Sequence, residues 1–246
     1  MKASIAELVQ LPGVWRGGEL EHSSQPSFAT SHARLDAELP GRGWPTGTLS
    51  EVLHDGVGIG EVTFLAGALA RAAEGKRLIA WVNAPYLPYA PALAQAGIPL
   101  DRCLVVRPAN REDALWAAEQ ALKSGACGAV LLWLGEDGGA RRHDEHAWLR
   151  RLQMAAESGR AMAIHFRSAA AERLSTPAHL RVVLAREDGA LEVRIPKRRG
   201  PPLIRAVSLG VGMTHPLPGP LPREREKQLP GPLPRVREKQ LHVLAR

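Results

Sequence analysis

Short apolar runs and helical patterns take turns along residues 48–166, and that alternation decides the fold class. Residues 48–53, 77–82, 102–106, 126–134 and 161–166 read as strands, most of them apolar almost throughout. Such continuity, rather than in–out alternation, is what a strand covered on both faces requires. Between them, residues 61–73, 89–96, 111–123 and 143–157 carry helical spacing. In 111–123, Ala114, Ala117, Ala118, Ala121 and Leu122 share one helical face, and Gly125 follows the end. The pattern predicts an α/β protein with a mainly parallel sheet and helices on both faces.

The flanks differ. Residues 179–186 and 190–195 are strand-like and enclose Glu187-Asp188-Gly189, and Asp-Gly between two such runs signals a hairpin. Antiparallel strands are therefore expected near the C-terminal side of the sheet, with residues 203–209 as a further candidate. Upstream, residues 3–11 suit a short helix, 23–31 a polar loop and 34–39 one or two helical turns. Pro40, Gly41, Gly43, Pro45 and Gly47 then break the chain. Three regions result: a lead-in over 1–47, a core over 48–212 and a tail over 213–246. The tail holds LPGPLPREREKQ at 217–228 and LPGPLPRVREKQ at 229–240, which differ only at Glu224 and Val236. Two such units cannot bury a core, so a disordered, extended segment is expected.

Charge follows the same division. The chain has 32 Lys and Arg against 25 Asp and Glu, net +7. Residues 194–246 carry 12 of the basic and 3 of the acidic residues, so the excess lies wholly at that end. The densest cluster, Lys197-Arg198-Arg199, falls on an expected exposed turn and is a candidate contact for DNA phosphates or an acidic partner. The tail arginines have no neighbouring aromatic residue on which a base would stack, which argues against sequence-specific recognition. Cys103 and Cys127 form neither a disulfide framework nor a zinc spacing, which fits a reducing cytoplasm. Residues 1–10 do not read as a signal peptide, and no run is long and apolar enough to span a membrane.

The glycine-rich turn Asp55-Gly56-Val57-Gly58-Ile59-Gly60 follows a strand and opens a helix, where a phosphate-binding loop would sit. Such a loop needs a lysine and then a hydroxyl after its last glycine, and here those positions hold Glu61 and Val62. A carboxylate about 4 Å from a phosphate charge costs on the order of 4 kcal/mol at an effective dielectric near 20. The helix dipole offsets only about 1 kcal/mol of that. Gly56, Gly58, Gly60, Glu61 and Val62 therefore read as a vestigial loop, with no cofactor and no catalytic residues. No metal set stands out either, since His143 and His146 lack a convincing third ligand.

Residues 31–37 with Leu39, Gly43, Pro45, Gly47 and Glu51 resemble the approach to the core in RecA-type recombinases. Residues 94–104 (AQAGIPLDRCL) and 111–125 (REDALWAAEQALKSG) extend that likeness over roughly 30–170. Within that group the chain resembles ImuA, a RecA-like accessory protein of DNA-damage mutagenesis. The resemblance implies a RecA-like fold with an eroded phosphate loop and a non-catalytic, nucleoid-associated adaptor role in SOS-induced translesion synthesis. Its implied partners are RecA and an ImuB-type relative of Y-family polymerases, with an error-prone replicative-type polymerase indirectly. Residues 133–137, His146 and 157–164 (ESGRAMAI) also resemble SulA, the damage-induced inhibitor of the division protein FtsZ. The Pro/Gly lead-in before Thr48 weighs toward ImuA, which leaves FtsZ inhibition as the alternative. Trp133, Trp148 and Phe166 are candidate binding anchors, each also suited to the core.

Overall fold

The computed structural model describes residues 26–56, 58–135, 142–200, 203 and 205–210. Its centre is an eight-stranded sheet. In chain order the strands are β3 (Thr48–His54), β4 (Leu78–Val82), β5 (Cys103–Val106), β6 (Cys127–Trp133), β7 (Met162–Arg167), β8 (Leu180–Glu187), β9 (Ala190–Lys197) and β10 (Val207–Leu209). Across the sheet they run β10-β9-β8-β3-β7-β6-β4-β5. The six from β8 to β5 are parallel, and β9 and β10 join by antiparallel pairing. The Asp188-Gly189 turn joins β8 to β9, with both residues at positive φ (47° and 79°). Asp and Gly tolerate that region best, which is why the sequence marks the hairpin.

Helices α1 (Ala33–Asp36), α2 (Glu61–Ala72), α3 (Ala90–Gln95), α4 (Arg111–Lys123) and α5 (Arg142–Gly159) complete the described chain. Helices α4 and α5 pack together over one face, against Leu49, Ala80, Val82, Val130, Leu132 and Ala163. Helix α4 begins where Asn110 Oδ1 accepts from the Asp113 amide at 2.8 Å, a side-chain N-cap. The other face buries Val52, Ile79, Trp81, Leu131 and Ile164 under α2. Successive residues of each strand thus serve opposite layers, which is why most strands read as nearly continuous apolar runs.

The lead-in departs from expectation. Instead of a plain polar loop over 23–31, Ser27–Phe28 (β1) pairs antiparallel with Trp44–Pro45 (β2). Leu35, Leu39 and Trp44 are buried in the same apolar cluster as Phe64 and β8–β9 residues. Trp44 meets Phe64 edge-on at 5.5 Å between ring centres, a favoured aromatic geometry. The third C-terminal strand covers only 207–209 of the expected 203–209. The helix expected over 3–11 and the tail repeats lie outside the described residues. Two glycines allow close approach of backbones. A Cβ at Gly128 would lie 1.7 Å from the Ala72 carbonyl oxygen, and one at Gly159 would lie 1.8 Å from that of Leu122.

Candidate functional site

Parallel strands deliver their following loops to one edge of the sheet, and an open α/β sheet uses that edge for binding. Here it gathers residues 55–60 after β3, 83–89 after β4 and 168–173 after β7. In the first loop Gly56, Gly58 and Gly60 have φ of 79°, 77° and 104°, backbone that a side chain would strain. Glu61 opens α2 and folds back, accepting from the Gly60 amide at 3.1 Å and the Gly58 amide at 3.4 Å. Its carboxylate is buried, and it occupies the amides that would otherwise cradle an anion. The loop is also tied from both sides. Asp55 Oδ1 accepts from the Ser168 hydroxyl (3.2 Å) and the Ala169 amide (3.1 Å), and Arg186 donates to the Ile59 carbonyl (3.2 Å). Val62 packs against the apolar layer rather than facing the loop. The structure therefore brings Gly56, Gly58, Gly60 and Glu61 together and turns Val62 away.

A row of rings crosses the sheet beneath this edge. Trp81 (β4) stacks on Trp133 (β6) at 6.2 Å, Trp133 on Phe166 (β7) at 4.3 Å, and Phe166 meets His54 (β3) edge-on at 6.0 Å. The row anchors the next loop. Asn83, at φ 55°, donates its side-chain amide to the Trp133 carbonyl (2.8 Å) and its backbone amide to that of Val106 (2.9 Å). Beyond this fixed point Tyr86, Leu87 and Tyr89 are 68%, 62% and 50% exposed. Phe166 and Trp148, candidate anchors from sequence, are buried instead, and Trp133 is only half-buried within the ring row. The exposed tyrosine rings lie in NAPYLPY (residues 83–89), where prolines 85 and 88 hold them in a segment that is neither strand nor helix, just before α3.

Below the α5 face lies a buried charge cluster. Glu51 accepts from Arg167 Nη1 (3.0 Å) and Arg181 Nε (2.8 Å), and Arg167 also pairs with Glu145 of α5. Arg181 further donates to the carbonyls of Glu172 (2.9 Å) and Leu174 (2.7 Å). His165 lies beside Trp148 at 5.3 Å, edge-on. Burial, then the cations Arg167, Arg111 and Arg181, hold its ring pKa well below the usual value. The cluster joins three strands and a helix; among the described residues no group of three or more His, Cys, Asp or Glu is placed to hold a metal.

The basic turn is not the uniformly exposed patch expected. Lys197 ends β9 and donates to the Thr176 carbonyl at 2.6 Å. Arg198 pairs with Glu38 Oε2 at 3.0 Å and its carbonyl oxygen, with only 5% of the side chain exposed. Arg199 is half-buried. Arg198 is thus committed to fastening the lead-in to the sheet edge, because a buried guanidinium needs an anion and carbonyls around it.

Fold and edge together define an α/β protein whose glycine turn is closed by its own carboxylate and whose neighbouring loop offers apolar rings to solvent. Residues 49–163 match the family model of the cell division inhibitor SulA. The chain is also similar to the cell division inhibitor SulA of Edwardsiella piscicida, 32% identical over 96 residues, which is 39% of this chain and 53% of that protein. The chain spans about half the length of this curated relative. These findings overturn the translesion-synthesis adaptor reading, and with it RecA, the ImuB-type relative and the error-prone polymerase as partners. The match begins at Leu49, so the Pro/Gly lead-in that weighed toward ImuA lies outside it. That lead-in is accounted for by packing, since Leu35, Leu39 and Trp44 cover the sheet. Among the described residues no helix is long and apolar enough to cross a membrane.

Proposed function

We propose that this chain is a cell-division inhibitor of the SulA kind, which binds the division protein FtsZ and performs no chemistry of its own. The match of residues 49–163 carries the reading. Surface composition supports it. Among the described residues the strongly exposed large apolar side chains are Tyr86, Leu87, Tyr89, Leu100, Trp116 and Met154, and all six fall inside that span. Exposed tyrosines on a pinned loop suit a protein interface, because rigid rings bury much area at little entropic cost.

Glu61 supports a role without nucleotide. Its carboxylate holds the loop amides, and a phosphate would have to displace it against like charge. The core then reads as a RecA-type domain that has exchanged a nucleotide for a protein partner, active in the response to DNA damage. The test is expression in a rod-shaped bacterium, with purified full-length chain added in parallel to its FtsZ and GTP. Filamentous cells and loss of sedimentable polymer near equimolar chain are expected. Normal division with undiminished polymer at a large excess of chain would sink the proposal.

A further inference from the structure

We propose that Asn83 is a positioning residue: its two hydrogen bonds fix the start of residues 84–89 and so hold Tyr86 and Leu87 in one orientation toward a protein partner. The partner's identity as FtsZ rests on the function proposed above; the fixing of the loop belongs to the chain alone and is tested alone.

Asn83 is the first residue after β4, and its φ of 55° lies in the left-handed region. Most side chains resist that region, and such backbone at a binding edge points to a position whose geometry matters. Glycine would make the same turn with less strain, so the side chain needs a reason of its own. That reason is a bond: Nδ2 donates to the Trp133 carbonyl at 2.8 Å, while the Asn83 amide donates to the Val106 carbonyl at 2.9 Å. Val106 and Trp133 close β5 and β6, and β4 lies between those two strands. One residue thus ties together the ends of three neighbouring strands. The Trp133 acceptor is itself held, because its ring is stacked between Trp81 and Phe166.

The two ends of the loop are fixed by different means. The Tyr89 carbonyl accepts from the amides of Ala92 (3.0 Å) and Leu93 (3.1 Å), so Tyr89 belongs to the start of α3. Helix α3 is anchored in turn by buried Leu93. Among the described residues no hydrogen bond ties 84–88. Proline supplies the stiffness there. Pro85 and Pro88 have φ fixed by their rings, and Ala84 and Leu87, each before a proline, are confined to extended backbone. A stiff arm on a fixed pivot carries the orientation set at Asn83 out to Tyr86 and Leu87, three and four residues further on. Rings held in place before contact lose less freedom on binding.

The experiment uses the full-length chain carrying 3-fluorotyrosine, without FtsZ. The chain has two tyrosines, so fluorine NMR gives two lines, assigned with Tyr86→Phe and Tyr89→Phe. Asn83→Asp keeps the size and the tolerance of positive φ, but turns the donor into an acceptor facing a carbonyl. Asn83→Gly keeps the turn and removes the side chain without adding a charge. In both variants the Tyr86 line is expected to narrow and shift toward that of free 3-fluorotyrosine, while the Tyr89 line stays. FtsZ affinity is expected to fall roughly threefold to tenfold, the effect of one lost hydrogen bond on a preformed surface. In a Tyr86→Ser/Leu87→Ser background that fall should vanish, because Asn83 acts through those two side chains. A general loosening of the protein would move both lines and weaken binding in either background, and that result overturns the proposal. An unmoved Tyr86 line in both variants overturns it too. A moved Tyr86 line, with no binding of FtsZ by the native chain, leaves the positioning role standing and overturns only the inhibitor reading.

Discussion

Arg167 holds Glu51 at 3.0 Å where neither side chain reaches solvent, Glu51 being 0% exposed. The second oxygen of Glu51 receives Arg181, and Arg167 reaches on to Glu145. Strands β3, β7 and β8 and helix α5 are joined through this one carboxylate. A pair of this kind is costly to bury and costlier to break, since the remaining charge has no water to turn to.

Removing one partner is therefore expected to be severe. Arg167→Met should lower stability by about 3–5 kcal/mol, read from the midpoint and slope of urea unfolding. A loss under about 1 kcal/mol would mean that water reaches Glu51, contrary to its burial.

Glu61→Ala tests the closed loop. It strips the acceptor from the Gly58 and Gly60 amides, and a loss of about 1–2 kcal/mol is expected in thermal or urea unfolding. FtsZ binding should survive, because Glu61 is buried and the proposed contact is made by the neighbouring loop. Abolished binding in a folded variant would place the glycine loop inside the interface.

The histidines set the acid response. Burial, and then the charges of Arg199 and Lys197, push His179 down to about 4, and His165 is held well below its usual value. Unfolded, both titrate near about 6.5. The unfolded chain thus binds more protons between about 6.5 and 4, so stability rises with pH there and is lost as pH falls. Buried His165 contributes a slope of up to about 1.4 kcal/mol per pH unit, and half-buried His179 less. Urea unfolding from pH about 7 down to about 5 should show the decline, and His165→Phe should flatten it. An equally steep profile in that variant would contradict the assignment.

Much of the fold was legible because its rules are local. Helix α4 has the bounds read from sequence, since its alanine face repeats and Gly125 follows its end. The β8–β9 hairpin was legible from Asp188-Gly189. The β1–β2 pairing was not, because two-residue strands carry no periodicity and form only as Trp44 is buried. Within the site, Glu61 was read as an obstacle to phosphate, but its turn back onto Gly58 and Gly60 depends on three-dimensional loop shape. The charge of Arg198 was visible, while its partner Glu38 lies 160 residues earlier. Tyr86, Leu87 and Tyr89 carried no signal in the sequence, because residues outside a clear periodic run give no sign of which way they face.

The surface reading makes its own prediction. Tyr86→Ser/Tyr89→Ser should unfold within about 0.5 kcal/mol of the native chain, as exposed substitutions do. It should weaken FtsZ binding by roughly 10- to 100-fold, the range for interface anchors.

The most direct test is a binding isotherm of the full-length chain with FtsZ by sedimentation velocity, alongside that double variant. A defined complex with the native chain, lost or strongly weakened in a variant that melts normally, is the predicted result. No complex at any concentration would contradict the inhibitor reading, and equal binding by both chains would contradict the surface assigned to it.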